Sequence, residues 1–370
     1  MATSSLKERV IKLAIEIQQI PAPTYHEEKR AIFIRDKFEE EGLVDISMDD
    51  IWNVYARLPG QISEQQLIVT AHLDTVFPIG TDLTIVRKSD RVAGPGIGDN
   101  SVGIAGLFGL IWSLQEDRIR LPGDVWLVAN SGEEGLGDLN GMKKVVDRFR
   151  IKPLAYIVLE GMVYGRIYHR GLGVRRYRIK CITHGGHSWV DYGNPSAINE
   201  LSILVIKLVS QKLPITPRTT LNIGKFNGGI SINSIASDAA IELDLRSESN
   251  VELEKISKNV EALVSTFSRK GVETSFEVIG DRKTGEIDTE HPLVELASEI
   301  LKNQGITPEL NIGSTDANVP LSQGIPAICV GATNGGNGHT LDEYIYTEPI
   351  SNGISQIVEI VKGVFAIMGV

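Results

Sequence analysis

This 370-residue sequence predicts an α/β fold interrupted by an inserted β-α-β-β-α-β domain. Three observations carry that expectation. Short β-branched runs alternate with amphipathic stretches, the rhythm of strands buried on both faces with helices between them. Four of those runs lead into histidines or acids, and in open α/β sheets functional groups gather beyond the carboxyl ends of the strands. Between about residues 173 and 288 the order changes to that of a split, ferredoxin-like unit.

The elements follow in order. Residues 6–20 and 27–41 read as helices, the second ended by Gly42, with a proline-bearing loop at 21–23 between them. Lys7, Glu8, Arg9, Lys12 and Glu16 interrupt the apolar positions of the first at helical spacing, unlike a signal peptide. Runs at 67–71, 125–129, 154–159 and 327–330 are the buried strands. The first is followed by His72 and Asp74, the second by Glu133 and Glu134, and the third by Glu160. The fourth leads through a Gly/Asn-rich loop to His339. A glycine-rich turn, Gly94-Pro-Gly-Ile-Gly-Asp99-Asn100, precedes a helix at 101–114. The inserted domain, 173–288, has strands at 174–183, 219–226, 239–246 and 272–279, with helices at 195–211 and 251–269. Helices at 292–304 and 350–368 complete the main domain, residues 1–172 and 289–370.

A net charge of -10, from 37 basic against 47 acidic residues, argues against a nucleic-acid or polybasic membrane partner. The longest apolar stretch, 103–114, is too short and glycine-rich to span a bilayer, so a cytoplasmic protein is expected. Cys181 and Cys329 lie in apolar runs and read as buried thiols.

His72 and Asp74 are two apart on an extended chain and point the same way, so the aspartate can fix the histidine's tautomer. Asp99 reads either as the N-cap of the following helix or as a carboxylate bridging two cations. Adjacent Glu133 and Glu134 at a buried strand end repel each other unless a cation or proton intervenes. One can bind metal while the other takes a proton from the attacking water. Glu160 stands where burial is costly without a partner. Histidine and carboxylate ligands without cysteine suit zinc, with manganese or cobalt as other occupants. His26, His169, His184 and His291 follow no comparable strand end and read as surface or local structural residues. A Gly-x-Ser-x-Gly elbow, a P-loop and a clean dinucleotide fingerprint are all absent from the sequence.

Five segments in order resemble a known family: Ala71-His-Leu-Asp-Thr75, Gly94 to Asn100, Gly132-Glu-Glu-Gly135, Leu159-Glu160 and Gly338-His-Thr-Leu-Asp-Glu343. It is the co-catalytic zinc peptidases and deacylases, among them carboxypeptidase G, peptidase T, aminoacylase, acetylornithine deacetylase and succinyl-diaminopimelate desuccinylase. The resemblance implies a zinc-peptidase-like α/β catalytic domain with an inserted lid that also serves dimerisation. It implies two zinc ions per chain, one held by His72, Asp99 and Glu160, the other by Asp99, Glu134 and His339, with Asp99 bridging. Glu133 would be the general base, Asp74 the support for His72, and the peptide Asp99–Asn100 would be cis.

In the inserted domain, Gly185-Gly-His187-Ser resembles a motif whose histidine reaches the partner subunit's site in dimeric relatives and steadies the oxyanion. Asn233 matches the lid asparagine and Arg282 an arginine that grips a substrate carboxylate, against plainer readings as a turn cap and a solvated hinge residue. Glu160 matches carboxypeptidase G and many deacylases, whereas peptidase T carries aspartate there. The expectation is a zinc metallopeptidase acting on small peptides, with water activated by Glu133. One alternative is an N-acyl amino acid deacylase with the same site. Another is a non-catalytic peptide-binding relative, which Glu133 disfavours because a pure binder needs no base.

Overall fold

The runs that end in histidines and acids are neighbouring strands of one mixed sheet in the computed structural model, which describes residues 5–149 and 153–368. Its main strands are β1 (Val44–Met48), β2 (Val54–Leu58), β3 (Ile62–His72), β4 (Gly123–Asn130), β5 (Ala155–Glu160) and β6 (Arg166–Gly171). β11 (Glu309–Gly313) and β12 (Ala327–Gly331) come from the far end of the chain. The spatial order is β1-β2-β4-β3-β5-β12-β6, with β11 beside β6. β3 runs parallel to β4 and β5, and β12 runs parallel to β5, so their carboxyl ends lie together. β2 and β6 close the parallel group with antiparallel pairs.

Side chains alternate between two apolar layers. Leu67, Val69 and Ala71 of β3 face the helices α1 (Leu6–Gln18), α2 (Glu28–Glu40) and α3 (Val102–Glu116), together with α7 (Pro292–Asn303) and α9 (Ile350–Met368). Ile68, with Val128, Tyr156 and Cys329, faces α4 (Asn140–Arg148) and the short α8 (Asn318–Ser322). Both faces are covered, which is why these strands read as continuous apolar runs. The stretch at 103–114 lies within α3, a core helix. Both cysteines are free and buried.

By contact the chain divides into Met1–Gly171 with Gly285–Val370, and Leu172–Thr284. In the second unit β7 (Gly173–Thr183), α5 (Ala197–Val209), β8 (Thr219–Gly228), β9 (Asp238–Ser247), α6 (Asn250–Phe267) and β10 (Val272–Arg282) follow in the anticipated order. The sheet is antiparallel, ordered β8-β9-β7-β10. Tyr177, Ile179 and Cys181 pack with Leu201 and Leu204 of α5 and with Ile256 and Val260 of α6. The sequence reading assigned neither β1, β2, β6 and β11 nor α4.

Candidate functional site

His72 closes β3, Glu160 closes β5, and Glu133 and Glu134 follow β4 after a tight turn at Gly132. Asp99 comes from the glycine-rich turn before α3, and its peptide to Asn100 is cis. His339 is delivered by the loop after β12, at a positive φ of 64°. Parallel pairing of β3, β4, β5 and β12 thus converts residues scattered over the sequence into one constellation.

Among the described residues, two groups bring metal-ligating atoms within 4.8 Å of one another: His72, Asp99 and Glu160, and Asp99, Glu134 and His339. Asp99 belongs to both. One of its carboxylate oxygens lies 3.0 Å from His72 Nε2, and the other lies 3.0 Å from His339 Nε2. Glu160 Oε2 is 3.6 Å from His72 Nε2, and Glu134 Oε1 is 3.2 Å from His339 Nε2. Ligands around a four-coordinate zinc at about 2.1 Å stand about 3.4 Å apart, so both groups fit a zinc-sized ion. Glu133 is buried beside them and belongs to neither group.

Burial and mutual repulsion govern the electrostatics of this cluster. Burial pushes the carboxyls of Glu134 and Glu160 up to about 7 despite the opposing histidines, with Asp99 and Glu133 adding repulsion. Hydrogen bonds from His339 and His72 outweigh burial at Asp99 and hold it well below the ordinary carboxylate range. The His339 imidazole is pushed up to about 11 by its bonds to Asp99 and Glu134. His72 is also raised: burial opposes its charge, but Glu160, Asp74 and Asp99 prevail. One cation per group would replace these protons and relieve the carboxylate repulsion.

Asp74 does more than was anticipated. His72 Nδ1 bonds its backbone carbonyl at 3.0 Å and stands 3.5 Å from its carboxylate. The carboxylate itself accepts the backbone N–H groups of Glu133 and Glu134, both at 2.9 Å, and the Thr24 hydroxyl at 2.8 Å. It therefore sets the loop that carries the two glutamates.

Several buried polar groups here carried no local signal in the sequence. Glu343 accepts from the backbone N–H groups of Gly98 and Asp99 at 2.6 and 2.8 Å. Burial, with repulsion from Asp99, pushes it up to about 7. Asp316, fully buried, accepts from Asn130 Nδ2 at 2.7 Å and is raised well above the usual range by burial. Glu343 is the last residue of the segment that carries His339, and Asp316 precedes the short α8.

His187, Asn233 and Arg282 belong to the second unit. The short pairing of Gly186–His187 with Ser234–Ile235 brings the first two together, and Ser188 N–H donates to the Asn233 carbonyl at 3.1 Å. His187 is exposed, and its Nδ1 accepts the N–H groups of Trp189 and Val190 at 3.2 and 3.3 Å. That leaves the proton on Nε2. Arg282 ends β10 and is buried, contrary to the reading of a solvated hinge residue. Of the remaining histidines, His169 is buried and bonds the Ile287 carbonyl, while His291 caps α7.

Known proteins of similar sequence and fold span nearly the whole chain. The chain is 25% identical to the protein YqjE of Bacillus subtilis over 96% of its own length and 98% of that protein. It is 24% identical to succinyl-diaminopimelate desuccinylase of Corynebacterium glutamicum over 92% of its length and 93% of that enzyme. The fold matches aminopeptidase PepT of Bacillus cereus with a TM-score of 0.77 at 24% identity, covering 97% and 98% of the two chains. Residues 68–363 match peptidase family M20/M25/M40. That match takes in every strand end described above, and the chain is a member of this family of metallopeptidases and related amidohydrolases.

Proposed function

We propose that this protein is a two-zinc exopeptidase that hydrolyses the amide bond next to a free α-carboxylate in a small substrate. The observation that carries the reading is Asp99, whose two oxygens each face a different histidine and a different acid. His72, Asp99 and Glu160 would hold one ion, and Asp99, Glu134 and His339 the other. When bound, the ions supply Lewis-acid polarisation of the scissile carbonyl and acidify the attacking water. Glu133 accepts the proton from that water and returns it to the leaving amine. Asp74 holds Glu133 in place through its backbone N–H.

His187 would donate Nε2–H to the developing oxyanion, a role that its tautomer supports. Asn233 lies beside it as a second polar contact, and Arg282 would grip the substrate carboxylate. Glu160, rather than aspartate, supports the carboxypeptidase and deacylase branch.

The test has two parts. Zinc-supplemented protein should retain about two ions per chain. It should cleave peptide acids well above the matching C-terminal amides, with Arg282→Ala lowering kcat/KM on the acids by roughly thirtyfold. Absence of bound transition metal would overturn the metal centre; equal turnover of acid and amide would overturn the substrate direction. In the same assay His187→Ala should lower kcat by about 10²–10³ with metal content unchanged; an unaltered kcat would remove its assigned role.

A second reading, an N-acyl amino acid deacylase, is favoured by the desuccinylase relative and keeps the same site and residue roles. Relative rates on dipeptides and N-acyl amino acids decide between them.

The partner we propose is a second copy of the chain. Ile203, Ile206 and Val209 stand exposed on α5, and β8 is an edge strand of the same unit. A monomer in sedimentation at micromolar concentration would argue against it. The setting we assign is the cytoplasm.

A further inference from the structure

The segment that leads into the first turn of α2 has no role in the chemistry above, yet it touches both loops that deliver it. Ala22 accepts the Thr75 N–H at 2.9 Å, and Thr24 donates to the Asp74 carboxylate. The Tyr25 hydroxyl bonds the Leu136 carbonyl. Glu27, only 2% exposed, accepts the Gly132 N–H at 3.1 Å. Arg30, equally buried, donates to the carbonyls of Leu73 and Ile20.

Gly132 is the turn residue immediately before Glu133 and sits at a φ of 66°, where its N–H has no strand or helix ladder to join. An acceptor placed there fixes the direction in which the next side chain leaves the turn. A buried carboxyl is an expensive choice for a simple clip, because burial disfavours its charge and Asp74 stands close by. Its length, however, reaches from α2 to the turn without moving either.

We propose that Glu27 is a positioning residue for Glu133: by holding the Gly132 N–H it sets the orientation of the Glu133 loop. The inference rests on Glu133 being the general base. It requires that removing the acceptor loosens residues 131–137 and lowers turnover, leaving substrate affinity and metal content unchanged. A misplacement of about 1 Å in a catalytic group can cost about 10²-fold in rate.

The experiment compares Glu27→Met, which keeps length and loses the acceptor, with Glu27→Gln, whose amide oxygen can still accept. Hydrogen–deuterium exchange on the metal-free protein should show faster exchange over residues 131–137 in Glu27→Met and near-native exchange in Glu27→Gln. With zinc restored, Glu27→Met should lose roughly 10–100-fold in kcat at unchanged KM, and Glu27→Gln should rescue most of that loss. Native exchange and native kcat in Glu27→Met overturn the proposal. So does a loss of bound metal that tracks the loss of rate, which would make Glu27 a general structural prop. If Glu27→Met does not fold, Glu27→Asp decides: it keeps the charge and withdraws the acceptor. Loosening of 131–137 in that variant supports the proposal, and native exchange overturns it. Exchange and metal content need no substrate, so they separate a failure of this inference from a failure of the peptidase reading.

Discussion

The two sheets carry their charged side chains in opposite places. In the second unit, helices cover one face, and the other bears a ladder of ion pairs in water. Arg178 and Lys225 both lie 2.9 Å from Glu242, and Arg176 and Arg246 flank Asp244 at 3.0 and 2.8 Å. In the first unit, β4, β5 and β12 are apolar and buried nearly throughout, and titratable groups crowd instead at the carboxyl ends. A charge on a wet face is cheap and contributes little. A carboxylate at a buried strand end is costly until a proton, a cation or a set of N–H donors meets it. The ion pairs of the second sheet stand in water, whereas the acids of the first crowd where burial demands a partner.

The sharpest way to break this contrast is within the adjacent pair. Glu133→Gln should keep both metals and lower kcat by roughly 10²–10⁴, the range of a lost general base. Glu134→Gln should weaken metal retention instead. Metal titrations in which the two variants behave alike would show that the site does not divide its acids by role.

A smaller effect should appear with pH in the metal-free protein. Glu27 titrates near 4.5 when unfolded and is pushed up to about 7 in the fold by burial, with repulsion from Asp74 adding to it. A raised folded value means that its stabilising contribution is complete below 4.5 and lost as pH rises towards 7. Glu27→Gln removes that loss. Its unfolding free energy relative to wild type should therefore improve between these limits, by on the order of 1–3 kcal/mol. A difference that stays flat with pH in chemical denaturation would mean that Glu27 is not held as described.

The smallest effect belongs to the ladder. Glu242→Gln should change stability by less than about 1 kcal/mol and leave turnover alone. A larger loss would put the second unit's outer face on the same footing as the buried strand ends.

The contrast also explains what was legible in the sequence. His72, Glu134, Glu160 and His339 each come after a β-branched run, and Asp99 sits in a glycine-rich turn. Local pattern therefore flagged all five residues that the structure brings together. In the second unit the order of strands and helices was legible, and burial alternates along β7 and β9 because every second residue meets a helix. Glu27 and Glu343 left no such trace. Each acts by accepting N–H groups from a loop far away in sequence, and nothing beside it in the chain announces the partner. Asp74 was read as a partner for its neighbour His72, because spacing along a strand was visible. Its bonds to Glu133 and Glu134 depend on β3 and β4 lying side by side. The strands β1, β2, β6 and β11 were passed over for a related reason. They lie towards the ends of the sheet, and β1, β6 and β11 are only partly apolar.

Gly171 and Gly285, where the chain leaves and re-enters the first unit, are register partners across an antiparallel pair. Their Cα atoms are therefore about 5 Å apart, the span of a tight turn. Residues 172–284 thus hang from the larger sheet as a loop whose ends were already neighbours, and closing it demands no separation of the strands that host it. Ribosomal synthesis can finish the insert before β11 and β12 exist, and the larger sheet can then complete itself around a fixed gap. Genetic exchange is similarly unconstrained: this segment could be swapped for a longer, shorter or differently assembling one without altering a residue at the strand ends.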